Sequence, residues 1–433
     1  MENLIKKYST NAPRYTSYPP LPFWNGAPEL QTWFSHLRET LTDDNSIDLY
    51  IHIPFCEKLC RYCGCQRVIT RNRDKGTDLV EIILKEWDIY KSQLGDIRIN
   101  SIHFGGGTPT FLRPQDLDLL LSKLSPMFNE GFIGAMEIDP RTCLDEHIEL
   151  LVKYGFNKVS LGIQDFDLEV QEAITRIQPF EMVKTLVDKL NDKGIEDINF
   201  DLIYGLPKQT LDSVSSTIEK VVQLAPSSIS FYSYAHVPWK ISNQKLINEK
   251  DLATGIDKFN LFVKAREEFS KFEYIEIGFD HFAKKGSLLA NAKEQGYLTR
   301  NFMGYTHKKA SALIGLGPSS ISYSLKSFLQ NEKDVGKYTE GVKSGEIAVI
   351  NGHIQSELDL ENEKKIIEFL CHESIELTDQ IDGLSKEFIA DELGEIKGNK
   401  YVVTDKGRPF MRNFAMLLDP YMSGTVKNFS KTI

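Results

Sequence analysis

Four cysteines fall within ten positions: Cys56, Cys60, Cys63 and Cys65. The segment reads Tyr50-Ile-His-Ile-Pro-Phe-Cys56-Glu-Lys-Leu-Cys60-Arg-Tyr62-Cys63-Gly-Cys65. The first three cysteines have the spacing C-x3-C-x2-C. Three thiolates on one loop can ligate three irons of a 4Fe-4S cube, whereas full protein ligation needs a fourth cysteine. One iron then stays open to an outside ligand, by the logic of the open position in a catalytic zinc site. S-adenosylmethionine can chelate that iron through its amino and carboxylate groups. An electron from the cluster then cleaves the sulfonium and releases a 5'-deoxyadenosyl radical. The bland alternatives are a zinc site or buried structural cysteines. Zinc sites usually pair C-x2-C units or add histidines at set spacing, and neither pattern is here.

Other residues could serve the same chemistry. Gly105-Gly106-Gly107-Thr108-Pro109 follows a strand-like run, and glycines there let a ligand approach the backbone. Glu137 and Asp139, Gln164 and Asp165, and Asp201 stand at or near the ends of successive strand-like runs. One such residue is usually a solvated carboxylate or a helix cap. Several together form a ring that suits a polar cofactor. Gly315-Leu-Gly317-Pro-Ser-Ser lacks the third glycine of the dinucleotide fingerprint, because Ser320 stands there. His52 and His103 lie in apolar runs and read as satisfied, partly buried histidines. Cys143 and Cys371 are isolated and read as core residues.

The elements that position these residues are repeated strand–helix units. The strand-like runs are 48–54, 101–104, 135–138, 159–163, 198–204 and 229–234, most of them apolar on both faces, as buried parallel strands are. Amphipathic stretches at 77–94, 114–124 and 181–193 lie between them. Six such units with right-handed crossovers predict a parallel sheet short of a closed barrel. The notable residues fall at its C-terminal end, where active sites of parallel barrels sit. A further run at 274–280 extends the sheet. From about residue 350 the pattern changes to helices at 358–373 and 385–393, a Gly398-Asn399 turn, a strand at 401–403 and a helix from about 407. That order reads as a small, winged-helix-like domain. The expected division is an N-terminal segment, 1–35, covering the active site; a partial barrel with extension, 36–345; and a mainly helical domain, 346–433.

The chain has 433 residues and a formal net charge of -10. An acidic surface argues against nucleic acid or an anionic membrane as the main partner. No apolar run approaches the ~18 residues of a membrane span, and the start of the chain lacks a signal-peptide apolar region. A cytoplasmic location is expected, and there a tight cysteine cluster points to metal or redox chemistry and away from disulfides.

With YIHIPFCEKLCRYCGC stand GGGTPT, SLGIQDF, DLIYGLPKQT, GFDHFA and RNFMGYT. Together they resemble the oxygen-independent coproporphyrinogen III oxidases, also called coproporphyrinogen dehydrogenases, of the radical S-adenosylmethionine superfamily. The resemblance runs nearly end to end, from PRYTSYP at 13–19 to TDKGRPFMRN at 404–413. CxxxCxxC alone marks the whole superfamily, whereas CGC at 63–65, PRYTSYP and RNFMGYT favour the oxidase over its haem-trafficking relatives.

The resemblance implies an α/β fold with a partial (β/α)6 barrel. It implies that Cys56, Cys60 and Cys63 ligate the cluster and that Cys65 does not. It also implies two S-adenosylmethionine molecules. Tyr50, Gly106, Glu137 and Ile321 match positions around the cluster-bound one. Tyr62, Gly107, Thr108, Gln164, Arg176, Asp201 and Ala235 match positions around the second. In our reading Arg176 forks onto a carboxylate and Asp201 accepts from an ammonium. The implied substrate is coproporphyrinogen III, whose ring A and ring B propionates become vinyl groups in protoporphyrinogen IX. Its four propionates need cations, and Arg14 and Arg300 are the candidates, with Lys240 behind them; a structural arginine is the competing reading. A low-potential donor such as flavodoxin, an unidentified electron acceptor and a monomeric state complete the expectation. The alternatives are a haem-binding chaperone of the same branch and an anaerobic haem-degrading methyltransferase.

Overall fold

The computed structural model describes residues 1–41, 45–308, 311–423 and 429–432. In Ser46–Ile53 apolar and polar residues alternate, and Ile47, Leu49, Ile51 and Ile53 are all buried against the helical layer. Successive strand residues point to opposite faces, so Asp48, Tyr50 and His52 face the other way. This strand, β1, leads five more: β2 Arg98–Gly106, β3 Phe128–Ile138, β4 Phe156–Gln164, β5 Asp197–Tyr204 and β6 Ser228–Ser233. All six pair in sequence order and in parallel.

The alternation repeats along the sheet and corrects the expectation of strands apolar on both faces. Leu161 and Ile163, Phe200 and Leu202, and Ile229 and Phe231 join the main core. Between them stand Ser160 and Gly162, Asn199 and Asp201, and Ser228 and Ser230. Asn199 bonds to Ser160, Ser228 and Ser230, and Ser160 donates to Asp201. The inner face is buried yet polar because its groups satisfy one another. In the sequence most of these runs, with few charges, read as apolar on both faces.

Amphipathic helices cover the outer face. Pro114–Leu124 begins with proline at the first turn, where the missing N–H costs nothing. Its Leu117, Leu120, Leu121 and Leu124 are fully buried.

The sheet is wider than six strands. Leu313–Leu316 adds a parallel strand beside β1, followed by antiparallel Ile321–Tyr323, Ser327–Asn331 and Val349–Ile354. Beyond β6 lie antiparallel His281–Lys284 and Tyr274–Ile277, the extension expected at 274–280. The twelve strands form one open sheet. The seventh parallel strand went unread because Ile-Gly-Leu-Gly was weighed only as a fingerprint. A Cβ at Gly315 would lie 2.7 Å from the Ile321 carbonyl oxygen, so glycine there permits the neighbouring strand to pack close. The sheet also runs a few residues past 345, since Val349–Ile354 belongs to it.

The C-terminal helices Glu357–His372, Asp379–Ala390 and Met411–Leu417, with a three-stranded antiparallel sheet, give the winged-helix-like unit. Its core centres on Phe369, Phe388, Tyr401 and Phe414 and takes in Tyr8, Tyr15 and Tyr18 from the N-terminal segment. Tyr15 and Tyr18 both donate to Asp419 at 3.1 and 3.0 Å. The N-terminal segment is thus fastened into the C-terminal unit.

Candidate active site

The carboxyl ends of the parallel strands and the loop after β1 enclose a cavity of about 330 Å³. Cys56, Cys60, Cys63 and Cys65 all line it. A two-residue parallel pairing of Phe55–Cys56 with Val68–Ile69 folds the loop back on itself. Asn243, from the segment after β6, fixes the rest. Its amide nitrogen lies 3.1, 2.8 and 3.0 Å from the carbonyl oxygens of Cys60, Arg61 and Cys63. Gln244 donates to the carbonyls of Tyr62 and Ala235. The cysteine loop therefore owes its shape to two side chains far along the chain.

The sulfurs have donors of their own. Thr108 Oγ1 donates to Cys56 Sγ at 3.2 Å, and Arg141 and Arg176 each reach Cys60 Sγ at 3.7 Å. Burial pushes the Cys56 thiol up to about 11. A thiolate there needs a cation beside it, which iron would supply. Among the described residues no three His, Cys, Asp or Glu converge on a point that would hold one ion. A cubane takes one thiolate per iron instead. Three sulfurs on one cavity wall, with N–H and O–H donors turned towards two of them, fit that group.

Gly106 N–H donates to Glu137 Oε2 at 3.2 Å, and His103 Nε2 lies 3.3 Å from Glu137 Oε1. The Tyr50 ring stacks on His103, and its hydroxyl lies 3.1 Å from His52 Nδ1. Both histidines are satisfied, as expected. A Cβ at Gly107 would meet the Pro54 carbonyl at 2.8 Å, and one at Gly106 would meet the His52 ring at 2.7 Å. The triple glycine lets β2 pass close to β1 and its loop, which the reading of a ligand-facing backbone had not included.

Of the residues matched to cofactor positions, Tyr62, Gly106, Gly107, Thr108, Glu137, Gln164, Arg176 and Asp201 line this one cavity. Tyr50, Ile321 and Ala235 stand outside its wall. Gln164 has φ of +67°, a left-handed conformation that a non-glycine residue seldom adopts. Asp201 accepts from Ser160 and Asn199 at 3.0 and 2.9 Å. Burial, with Glu137 nearby, raises its pKa.

Arg176 corrects one expectation. Its guanidinium donates to the Gly162 carbonyl through Nε and Nη2, at 3.1 and 2.6 Å, and to Asp139 Oδ2 through Nη1 at 3.1 Å. The fork expected to meet a cofactor carboxylate is largely occupied by the protein. Asp139 also takes Arg141 at 2.7 Å. Burial opposes the charged form of Asp139, but the two arginines outweigh it and hold the carboxyl at about 2. The Asp139–Arg141–Arg176 triad beside Cys60 was missed as a unit. Only a polar strand end at Asp139 hinted at it, and nothing local marks Asn243.

Arg300 is also corrected. Its side chain is 2% exposed and pairs with both Asp280 oxygens, at 3.2 and 3.3 Å, between the rings of Phe279 and Tyr305. Its charge is engaged within the protein, so the competing structural reading holds for it. Arg14 is half-buried over the Tyr232 ring, and Tyr232 lines the main cavity. Lys240 is exposed and lies off the cavity wall.

The model of the Radical SAM superfamily matches residues 50–221. Over 100% of its length the chain is 37% identical to the oxygen-independent coproporphyrinogen III oxidase of Pseudomonas aeruginosa, covering 98% of that protein. It is 36% identical to the Helicobacter pylori enzyme of the same name, over 99% of this chain and 98% of that one. The structure of coproporphyrinogen III oxidase from Escherichia coli, described as a radical SAM enzyme, superposes with a TM-score of 0.90 at 30% identity, over 97% of this chain and 98% of that one. No helix among the described residues is long and apolar enough to cross a membrane. Three cysteines on a polar cavity and an end-to-end match lead to one conclusion: the chain belongs to the oxygen-independent coproporphyrinogen III oxidase family of the radical S-adenosylmethionine superfamily.

Proposed function

We propose that this protein converts coproporphyrinogen III to protoporphyrinogen IX by oxidative decarboxylation of the ring A and ring B propionates. The observation that carries this is a cysteine trio opening on a polar, strand-end cavity in a chain matched from end to end by oxidases of that name. Each round removes one hydrogen atom, one electron and one carbon dioxide from a propionate and leaves a vinyl group. When bound, the cluster and S-adenosylmethionine supply the 5'-deoxyadenosyl radical for the hydrogen abstraction.

Cys56, Cys60 and Cys63 hold the irons. Tyr50, Gly106, Glu137 and Ile321 surround the cluster-bound S-adenosylmethionine. The second molecule lies among Tyr62, Gly107, Thr108, Gln164, Arg176, Asp201 and Ala235. Asp201 supports this placement. Among the described residues its hydrogen-bond partners, Ser160 and Asn199, are neutral, and an ammonium would give its carboxylate an opposite charge. Asp201→Asn is expected to lower the bound S-adenosylmethionine from two molecules per chain to one, read by equilibrium dialysis of the reconstituted enzyme. Two molecules on the variant would remove Asp201 from this role.

The protein's own part is positioning and exclusion of solvent. Residues 1–35 close over the substrate, which the place of Arg14 above Tyr232 supports. Removing residues 1–20 should abolish turnover while leaving the iron content intact. Thermal melts run alongside would reveal any loss from the C-terminal core, and a truncated enzyme at full turnover would refute the lid. A low-potential donor such as flavodoxin, an external electron acceptor, a monomeric state and a cytoplasmic location complete the proposal.

The test is anaerobic. Reconstituted enzyme receives reductant, S-adenosylmethionine, coproporphyrinogen III and a cell extract as acceptor source. Protoporphyrinogen IX in the mass spectrum supports the proposal. Cleaved S-adenosylmethionine with an unaltered tetrapyrrole refutes it.

A further inference from the structure

A second cavity, of about 30 Å³, lies where the barrel, the N-terminal segment and the C-terminal unit meet. A water needs about 10–15 Å³ of such space, so it suits a carboxylate-sized group. Arg14, Lys258 and Arg412 line it, with Ser233, Asp280 and Thr432. Arg300 approaches from behind through its pairing with Asp280. Among the described residues, four cations therefore gather around a single carboxylate.

Asp280 does not balance them. Arg300 takes both its oxygens and His281 Nδ1 lies 2.7 Å away, while Arg14 stands back at 3.6 Å. Arg412 is 4% exposed, and among the described residues no carboxylate lies within ion-pair range of it or of Lys258. Among the described residues Arg412 donates to the carbonyl oxygens of Ala12, Pro13 and Lys431. Lys258 Nζ donates to the Tyr234 carbonyl at 2.8 Å. Carbonyl dipoles soften a buried charge but do not neutralise it. Burial, with Arg14 beside them, draws the Lys258 ammonium down to about 8 and the Arg412 guanidinium down to about 9. Both shifts fit a site short of negative charge among the described residues.

The cavity also adjoins the reaction site. Arg14 Nη2 donates to the Ser233 carbonyl at the end of β6, and its guanidinium covers Tyr232, which lines the main cavity. Arg14 of this cavity and Tyr232 of the main cavity are thus in contact, although the two cavities share no lining residue.

We propose that Arg14, Lys258 and Arg412 form a carboxylate-binding subsite for a propionate of the tetrapyrrole other than the one undergoing decarboxylation. This rests on the function proposed above. A free carboxylate shares the same chemistry, so the test separates the two sources.

The test uses the reconstituted holoenzyme and two probes: coproporphyrin III, followed by its fluorescence, and sodium acetate, followed by its effect on the melting temperature. Lys258→Met is the main variant, because Arg412 is buried in the seam and its loss threatens folding. Arg14→Met is the second. Unchanged visible absorbance of the cluster controls for folding. The expected result is about tenfold weaker coproporphyrin III binding in each variant, one charge pair's worth. Unchanged porphyrin binding with acetate stabilisation that vanishes in Lys258→Met would overturn the propionate assignment in favour of a free carboxylate. Neither effect would overturn the subsite altogether. A wild-type protein that ignores coproporphyrin III would instead count against the proposed function, while the acetate arm would still test the cavity.

Discussion

Cys60→Ala protein, reconstituted anaerobically with iron and sulfide, is expected to lack the visible absorbance of a 4Fe-4S cluster and to show no turnover above background. Cys60 is the most buried of the three cysteines, and its sulfur faces both Arg141 and Arg176. Removing it takes away one iron ligand and leaves the guanidinium groups of buried Arg176 and partly buried Arg141 with Asp139 as their ion-pair partner among the described residues. Two thiolates cannot hold three irons of a cube. Cys143→Ala and Cys371→Ala are the controls. Burial pushes both thiols up to about 12, neither lines the cavity, and both variants should keep cluster and turnover. Iron and sulfide analysis beside the visible spectrum reads the outcome. A full cluster in Cys60→Ala would show that the thiolates were misassigned.

Asp280→Asn is expected to cost about 3–5 kcal/mol of stability, the usual penalty for breaking a buried pair from one side. Asp280 is the anionic centre for Arg300, Arg14 and His281. Burial opposes its charged form, yet Arg300, then His281 and Arg14, hold the carboxyl well below the usual carboxylate range. A depressed folded pKa adds stability that is present above the unfolded value, about 4. That stability drains as pH falls through the lower folded value. The gap between wild type and Asp280→Asn should therefore be full at neutral pH and shrink below about pH 4. Urea melts at pH 7 and pH 3 measure it. An equal gap at both pH values would mean that packing, and not charge, explains the loss.

The parts of this molecule that were legible in the sequence are those whose signal is local. The C-x3-C-x2-C loop carries its chemistry in its own spacing. The six parallel strands each carry an apolar run, and the helices between them a periodic stripe. The parts that were not legible depend on partners far apart. Asn243 secures the cysteine loop from about 180 residues away, a contact that no motif around it announces. Arg300 stood in a motif beside aromatic residues and was read as a cation for the substrate. Only the fold brings Asp280 against it. Arg176 likewise has its donors turned to Asp139 and to a backbone carbonyl, which a match by position does not reveal. The polar inner face escaped notice for another reason. Asn199, Ser228 and Ser230 are buried, and Ser160 half-buried, while bonding to one another across three strands.

The measurement that tests the central claim most directly uses coproporphyrinogen III deuterated at the β-carbons of the ring A and ring B propionates. Reconstituted enzyme is run anaerobically, and the 5'-deoxyadenosine is isolated and weighed by mass spectrometry. The account predicts one deuterium in 5'-deoxyadenosine for each vinyl group formed. Undeuterated 5'-deoxyadenosine, with all four propionates intact, would contradict it.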